Sequence, residues 1–445
     1  MRAAPPATRR RFLSRLVKPP KATGPMTVRD GVHGEKVSVL GFGMMRLPTV
    51  DGAHATGWAP GSSSKAIDQE QVNAQVDYAL AHGLNYFDSS PVYCRGESER
   101  VTGIALSRHP RDSYFIATKM SNFNKALRKT EKSREMFEAS LKAFKTDYID
   151  FYLLHSVGGG KDPKAEFASR FLDNGILDWL VEQRKAGRIR NLGFSFHGSP
   201  LIWKWLMDNH EKYHWDFAQI QMNYVDWRHA AAVNSRNLNG EFAYGELAKR
   251  GIPTVVMEPL LGGRLAKFNY ALSEKLVPLD PEASLASWAL RFAAGHPKVL
   301  TVLSGMTYME HIEENVAVCS PLKPLTKREL DVLEEAAQAY LADKTIPCNS
   351  CDYCMPCPYG LDIPGILNVW NAAVAEKRLP EDSDAPDFAA NRRRFLVEYS
   401  RAIPRLREAE RCIGCGRCMP HCPQRIEIAA EMRRVGDFVE RLRNP

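Results

Sequence analysis

The sequence predicts an α/β fold: a closed (β/α)8 barrel followed by a smaller, mostly helical domain. Three observations carry this. From Val37 to about Ser320, short apolar, β-branched runs alternate with helix-length amphipathic segments. Eight such runs fall in that stretch, which suits a TIM barrel of roughly 250 residues better than an open doubly wound sheet. No G-x-G-x-x-G follows the first run, which argues against a dinucleotide-binding open sheet. Beyond residue 323 the character changes, and eight of the ten cysteines crowd into two short runs.

The strand candidates, in order, are VSVLGF from Val37, LNYF from Leu84, YFIAT from Tyr114 and YIDFYLL from Tyr148. IRNLGF from Ile189, FAQIQM from Phe217, IPTVVM from Ile252 and VLTVL from Val299 complete the eight. Their near-continuous apolar character implies burial on both faces, hence a parallel sheet. Between them, 69–82 and Thr130–Phe144 carry apolar residues three and four apart, as helices do. Three regions follow: a tail over 1–27, the barrel over 28–322 and the helical domain over 323–445.

The net charge of +8 is concentrated at the start, since residues 1–30 hold eight Lys or Arg against one acid. This segment, rich in Pro and Ala, reads as a disordered arm. It contains Thr8-Arg9-Arg10-Arg11-Phe12-Leu13, which has the look of a twin-arginine export motif. The apolar stretch that such a signal needs is missing, because Val17 runs into Lys18, Pro19 and Pro20. A cytoplasmic location is therefore expected, with the periplasm as the alternative if the motif functions. No basic face with interleaved aromatics marks a nucleic-acid binder. No apolar run approaches the ~20 residues that span a bilayer.

In this barrel class, chemistry gathers at the C-terminal ends of the strands. Asp88 ends the second strand, Lys119 the third and His155 the fourth, and Tyr93 lies five residues past Asp88. Each alone has an ordinary structural explanation, but four on one rim point to catalysis. The set suits carbonyl reduction. Hydride arriving at carbon makes an alkoxide that needs a proton, and a Tyr hydroxyl can supply it. Lys119 is the cation expected to lower the phenol's pKa, Asp88 would orient it, and His155 would polarise the carbonyl.

With their surrounding strings, NYFDSSPVYCRGESERVTGIAL, YFIATKM and DYIDFYLLH, these residues resemble the catalytic tetrad of the aldo-keto reductases. EPLLGGRL, from Glu258, is similar to that family's loop over the nicotinamide cofactor. VLSGMTYMEHIEENV, from Val302, resembles the segment at its adenosine end. The resemblance implies Ser195, Gln219, Gly262, Gly305, Glu314 and Asn315 as cofactor-binding residues. Two departures stand out. Ser195-Phe196-His197 replaces the family's Ser-Asn, and Gly305, Met306 and His311 stand where a cation commonly meets a 2′-phosphate. NAD therefore stands beside NADP as the expected nucleotide.

The cysteine runs are Cys348, Cys351, Cys354 and Cys357 before Pro358, and Cys412, Cys415, Cys418 and Cys422 before Pro423. The second has the C-x2-C-x2-C-x3-C-P spacing of bacterial [4Fe-4S] ferredoxins, and the first is one residue shorter. Structural zinc is the plainer alternative, but it usually takes two C-x2-C pairs across a longer loop. Two [4Fe-4S] clusters are expected, with the fourth cysteine of each run ligating the other cluster. Fifty-four residues separate Cys357 from Cys412, with helix-like runs at 362–376 and Phe388–Ala402. This resembles the α-helical ferredoxin modules appended to redox enzymes, and the whole chain resembles the aldo-keto reductase subgroup that carries one. Of the other cysteines, Cys94 and Cys319 read as buried packing.

The leading expectation is an NAD(P)H-dependent reductase of a small carbonyl substrate, with clusters that brace the tail or dock a redox partner. A second reading passes electrons between a ferredoxin-like partner and a substrate or flavin. A hydride carrier and a one-electron cluster need such an intermediary, yet no sequence signature marks a flavin site. A third is a non-enzymatic redox-sensing or assembly subunit.

Overall fold

A computed structural model describes residues 20–52, 54–55, 66–234 and 237–444. Eight parallel strands close the barrel in chain order: β1 (Leu40–Gly43), β2 (Tyr86–Asp88), β3 (Phe115–Met120), β4 (Ile149–Val157), β5 (Ile189–Phe196), β6 (Phe217–Gln221), β7 (Thr254–Met257) and β8 (Val299–Ser304). Closure comes from β8 on β1, with Val302 opposite Leu40 and Ser304 opposite Phe42. All eight expected strands are present. The first expected run divides. Lys36–Ser38 pairs with Val28–Asp30 as a short hairpin, and Leu40–Gly43 enters the barrel. Val37 of that hairpin packs with the barrel interior.

Period-two alternation fills the interior with Tyr86, Ala117, Phe151, Leu153, Phe217 and Val255. The alternate residues meet the outer helices. Helix Thr130–Phe144, for example, buries Phe137, Leu141 and Phe144, four and then three residues apart. Caps set the helix starts. Asp68 accepts from Gln71 N, and Thr326 and Glu329 form a reciprocal capping box. Such a cap stabilises a helix by ~1 kcal/mol.

Two expected boundaries move. Residues 20–27 are not a free arm, because Met26 is buried and Thr23, Gly24 and Thr27 donate to the carbonyls of Ser320 and Cys319. Apolar burial and backbone pairing hold this stretch to the barrel. The twin-arginine-like segment lies outside the described residues. Helix Lys327–Ala342 buries Leu333, Ala336 and Tyr340 beside Leu261, Leu272 and Trp288 of the barrel. We accordingly place the domain boundary near Asp343, not at residue 323.

The C-terminal domain packs helices Ile363–Ala375, Phe388–Ala402 and Ile428–Arg443. Trp370 and Phe395 meet Phe438 edge-on at 5.1 and 5.5 Å, contacts worth ~1 kcal/mol each beyond their burial. Cysteines of both runs pack against this core. Among the described residues no helix is long and apolar enough to cross a membrane.

Candidate active site

The alternation that fills the barrel also aims the candidate residues. Tyr86 points inward, so Asp88 two residues on does too. Ala117 brings Lys119 with it, Phe151 and Leu153 bring His155, and Phe217 brings Gln219. Strand register places Asp88 beside Ala117 and Lys119 beside Leu153, at the C-terminal rim. Tyr93 opens a short 3-10 turn in which Cys94 and Arg95 adopt left-handed φ values of 49° and 59°. Cys94 is fully buried beneath it, with Sγ 3.4 Å from the Met45 carbonyl, and Cys319 is buried as well.

The Lys119 ammonium donates to Asp88 Oδ1 at 2.6 Å and to the Ser89 carbonyl at 2.6 Å. It lies 4.8 Å from the centre of the Tyr93 ring. The His155 ring meets Tyr93 edge-on at 5.8 Å. Ser121 and Ser90 hydroxyls stand 2.6 and 3.3 Å from His155 Nδ1. Burial pulls the Lys119 ammonium down and pushes the Asp88 carboxyl up, and each partner's charge opposes that drift. His155 is held well below the ordinary histidine value by burial and then by Lys119, Arg170 and His197, so its imidazole is neutral.

One expectation is corrected here. Tyr93 is pushed above its ordinary value by burial, then by Asp88 and Tyr353, not lowered by Lys119. Lys119 donates to Asp88 and Ser89, and burial is the larger effect on the phenol. The phenol therefore keeps its proton.

A cavity of about 1870 Å³ opens over these groups, larger than the roughly 300–1,000 Å³ of a usual ligand pocket. Asp88, Tyr93 and His155 line it together with Gln219, Gly262, Gly305, Glu314 and Asn315. Gln219 Oε1 is buried without a hydrogen-bond partner, as a wall awaiting a donor would be. Asn315 donates to Ser304 Oγ at 3.0 Å, and burial pushes Glu314 up. Ser195 is not in the wall. Its hydroxyl accepts from Ser156 N at 2.7 Å, while neighbouring His197 lines the cavity and is lowered by burial to about 4.

The C-terminal domain forms part of this cavity, which sequence reasoning missed. Asn349, Cys351, Tyr353 and Cys422 are in the wall. Arg46 donates to the Asn349 carbonyl at 2.7 Å, and Asn349 Nδ2 reaches Glu258 Oε1 at 3.3 Å. Burial first, then Asp226, pushes the Glu258 carboxyl up to about 7. Nothing in the spacing of cysteines says which way their loops face. Ser90 and Ser121 were closer to hand, inside FDSS and just after YFIATKM.

The cysteines sort across the two runs. Cys348, Cys351, Cys354 and Cys422 line one small cavity, and Cys357, Cys412 and Cys415 lie within electrostatic reach of Cys418. Ligand sets crossed between the runs, as expected from the spacing, would need this grouping. Among the described residues no three His, Cys, Asp or Glu side chains converge as around a single ion.

A family model, the aldo/keto reductase family, matches residues 40–338. The chain belongs to the aldo/keto reductase family. A second model, a 4Fe-4S dicluster domain, matches residues 347–427. L-galactose dehydrogenase of Arabidopsis thaliana is 26% identical over 66% of this chain and 88% of its own length. Protein tas of Escherichia coli is 24% identical over 63% and 89%. Among solved structures, the holo form of aldo-keto reductase AKR11C1 from Bacillus halodurans is 26% identical. It matches with a TM-score of 0.53 over 71% of this chain and 97% of that one. An aldo-keto reductase from Klebsiella pneumoniae in complex with NADPH shares the fold at 20% identity, TM-score 0.51, over 69% and 94%. This aldo/keto reductase is thus an oxidoreductase with an iron–sulfur dicluster domain, and the reading as a non-enzymatic subunit falls away.

Proposed function

We propose that this chain reduces a small carbonyl compound to an alcohol with a nicotinamide nucleotide, using Tyr93 as the acid. The observation that carries this is the convergence of a protonated phenol and a neutral imidazole on the wall of a cavity with room for nucleotide and substrate together, with the buried Lys119 ammonium 4.8 Å from the phenol ring centre. When bound, the nucleotide supplies hydride. Gln219, Gly262, Gly305, Glu314 and Asn315 would hold it, and the unpartnered Gln219 Oε1 suits an amide donor. Ser195 stands outside that set because it is not in the wall, where His197 lies instead. Arg46 Cδ stands 3.5 Å from the Cβ position at Gly305, so Arg46 supplies a cation near that end of the wall. It makes NADP as well as NAD compatible with this cavity.

The residues divide the work. A Ser121 or Ser90 hydroxyl donating to His155 Nδ1 leaves the ring proton on Nε2, which can donate to the carbonyl oxygen. As that oxygen gains charge, the Tyr93 hydroxyl passes it a proton. An alkoxide is far more basic than a tyrosinate, so even a raised phenol pKa leaves this transfer downhill. The Lys119 ammonium, 4.8 Å from the phenol ring centre and with one N–H beyond those given to Asp88 and Ser89, would steady the charge left there.

The eight run cysteines would hold two [4Fe-4S] clusters, whose chemistry when bound is one-electron transfer. A second reading is an electron-transfer enzyme that works between a ferredoxin-like partner and a substrate or flavin in the barrel. One observation favours it: Cys351 and Cys422 line the same cavity as Tyr93.

Oxygen-free protein mixed with NADPH or NADH and a panel of aldehydes and ketones tests the first reading, by loss of reduced-nicotinamide absorbance. Tyr93→Phe should lower kcat by about 10²–10⁴ while nucleotide affinity holds. Full activity in that variant would sink the assignment. Bleaching of the iron–sulfur band by the nucleotide alone would favour the second reading.

A further inference from the structure

The two cysteine groups face different surroundings. The group completed by Cys422 opens on the cavity, whereas the group of Cys412, Cys415, Cys418 and Cys357 lies toward the surface, with Cys415 exposed. Around this outer group the protein carries Leu406, 71% exposed, Ile413, 63% exposed, and Tyr359, 48% exposed. No other large apolar side chain among the described residues is as exposed as Leu406. The loops that carry them are tied together. Asp362 N donates to the Arg407 carbonyl at 3.2 Å, Arg407 Nε to the Gly360 carbonyl at 3.1 Å, and Arg411 Nε to the Arg405 carbonyl at 3.1 Å.

The same segment is cationic. Arg405, Arg407, Arg411 and Arg417 are all exposed. Its two acids, Glu408 and Glu410, are both engaged by Arg443, at 2.7 and 3.6 Å. An apolar centre ringed by uncompensated positive charge is costly to leave in water and selects a partner of opposite sign.

We propose that the surface formed by Tyr359, Leu406 and Ile413 within this arginine ring is the docking site of a small acidic one-electron carrier protein. The proposal rests on the reading that the run cysteines hold clusters, and it names the partner and the face. An anionic membrane or a nucleic acid would also meet the charge. Neither accounts for an exposed cysteine of the outer group at the patch, and a short-lived redox contact needs under about 1,200 Å² of buried surface.

The test uses the full chain, purified without oxygen, with its visible iron–sulfur band recorded first. Reduced plant-type ferredoxin, an acidic carrier, is mixed with wild type, with an Arg405→Glu/Arg411→Glu variant, with Ile413→Ser, and with Lys204→Glu on the barrel helix Pro200–Asp208 as a charge control. Bleaching of the band and ferredoxin affinity are followed, and dithionite serves as a reductant with no docking requirement. Ferredoxin affinity and bleaching rate should both drop about tenfold or more in the arginine variant and fall steeply with added salt. Ile413→Ser should weaken affinity, while Lys204→Glu and every dithionite rate stay unchanged. Equal ferredoxin rates in all variants would overturn the docking site with the band intact. So would tighter, arginine-dependent binding to phosphatidylserine vesicles or a DNA duplex. Protein without the band fails earlier, at the cluster assignment, and the docking site falls with it.

Discussion

The two domains approach tightly at Gly262, and the approach makes a quantitative demand. A Cβ at Gly262 would stand 2.0 Å from Asn349 Cβ and 3.0 Å from Asn349 Cα, and the residue's φ is +68°. Gly262→Ala therefore incurs two separable costs. The left-handed backbone costs an L-residue about 1–2 kcal/mol. Overpacking against Asn349 costs about 1–3 kcal/mol more. The single variant should lose ~2–5 kcal/mol of stability, measured by denaturant unfolding. Asn349→Gly removes the Cβ that causes the second cost but not the first. In the double variant the overpacking cost should return, as a coupling of about 1–3 kcal/mol, while the backbone cost stays.

Nucleotide titration supplies the second readout, because Gly262 lies in the loop proposed to cover the cofactor. Lifting that loop off Asn349 by even 1.4 kcal/mol would weaken nucleotide binding about tenfold. If the two substitutions prove additive, Asn349 does not press on this loop in solution and the coupling of cluster loop to cavity is wrong.

Lys119→Met leaves Asp88 buried without its partner and should cost about 3–5 kcal/mol, much of it recovered in the Lys119→Met/Asp88→Asn double variant; an undiminished Tm in the single variant would contradict the buried pair. His155 and His197 are neutral when folded and bind protons more readily when unfolded, so stability is held above pH 6.5. It should fall as pH drops below that, by up to about 1.4 kcal/mol per pH unit for each. For His197 that loss continues to about pH 4, and His197→Asn should flatten its share of the slope in urea titrations at stepped pH. Cys422→Ser should disturb the cluster held by the first run and loosen nucleotide binding, whereas Cys357→Ser should disturb the other cluster and spare the nucleotide. Iron content and low-temperature EPR distinguish the two, and identical effects would refute the crossed grouping.

The barrel and its rim were legible because both follow from local rules. Period two carries Tyr86 to Asp88 and Ala117 to Lys119 without any tertiary knowledge. The sign of the Tyr93 shift was not legible. It depends first on how deeply the fold buries the phenol, and then on the negative charge of Asp88 beside it. The roof was not legible either. Asn349 and Tyr353 carry no motif, and their meeting with Gly262 and Tyr93 joins segments some 90 and 260 residues apart in the chain. Helix Lys327–Ala342 looked like part of the tail because the barrel's strands had ended, yet its Leu333, Ala336 and Tyr340 bury on barrel side chains.

The grouping of the cysteines across the two runs adds a second segment to the contact between the domains. If each run closed on itself, Cys357 would complete the first group and the segment around Cys422 would have no reason to stand at the barrel mouth. Because Cys422 joins Cys348, Cys351 and Cys354, the stretch from Pro420 to Arg425 enters the cavity wall, and Asn234 Nδ2 donates to the Pro423 carbonyl at 3.1 Å. A tail serving merely to brace the chain could face anywhere. This one presents one cysteine group to the cavity and the other to solvent, under an apolar patch ringed by arginine. That polarity is what the proposed path between an external carrier and the barrel would require.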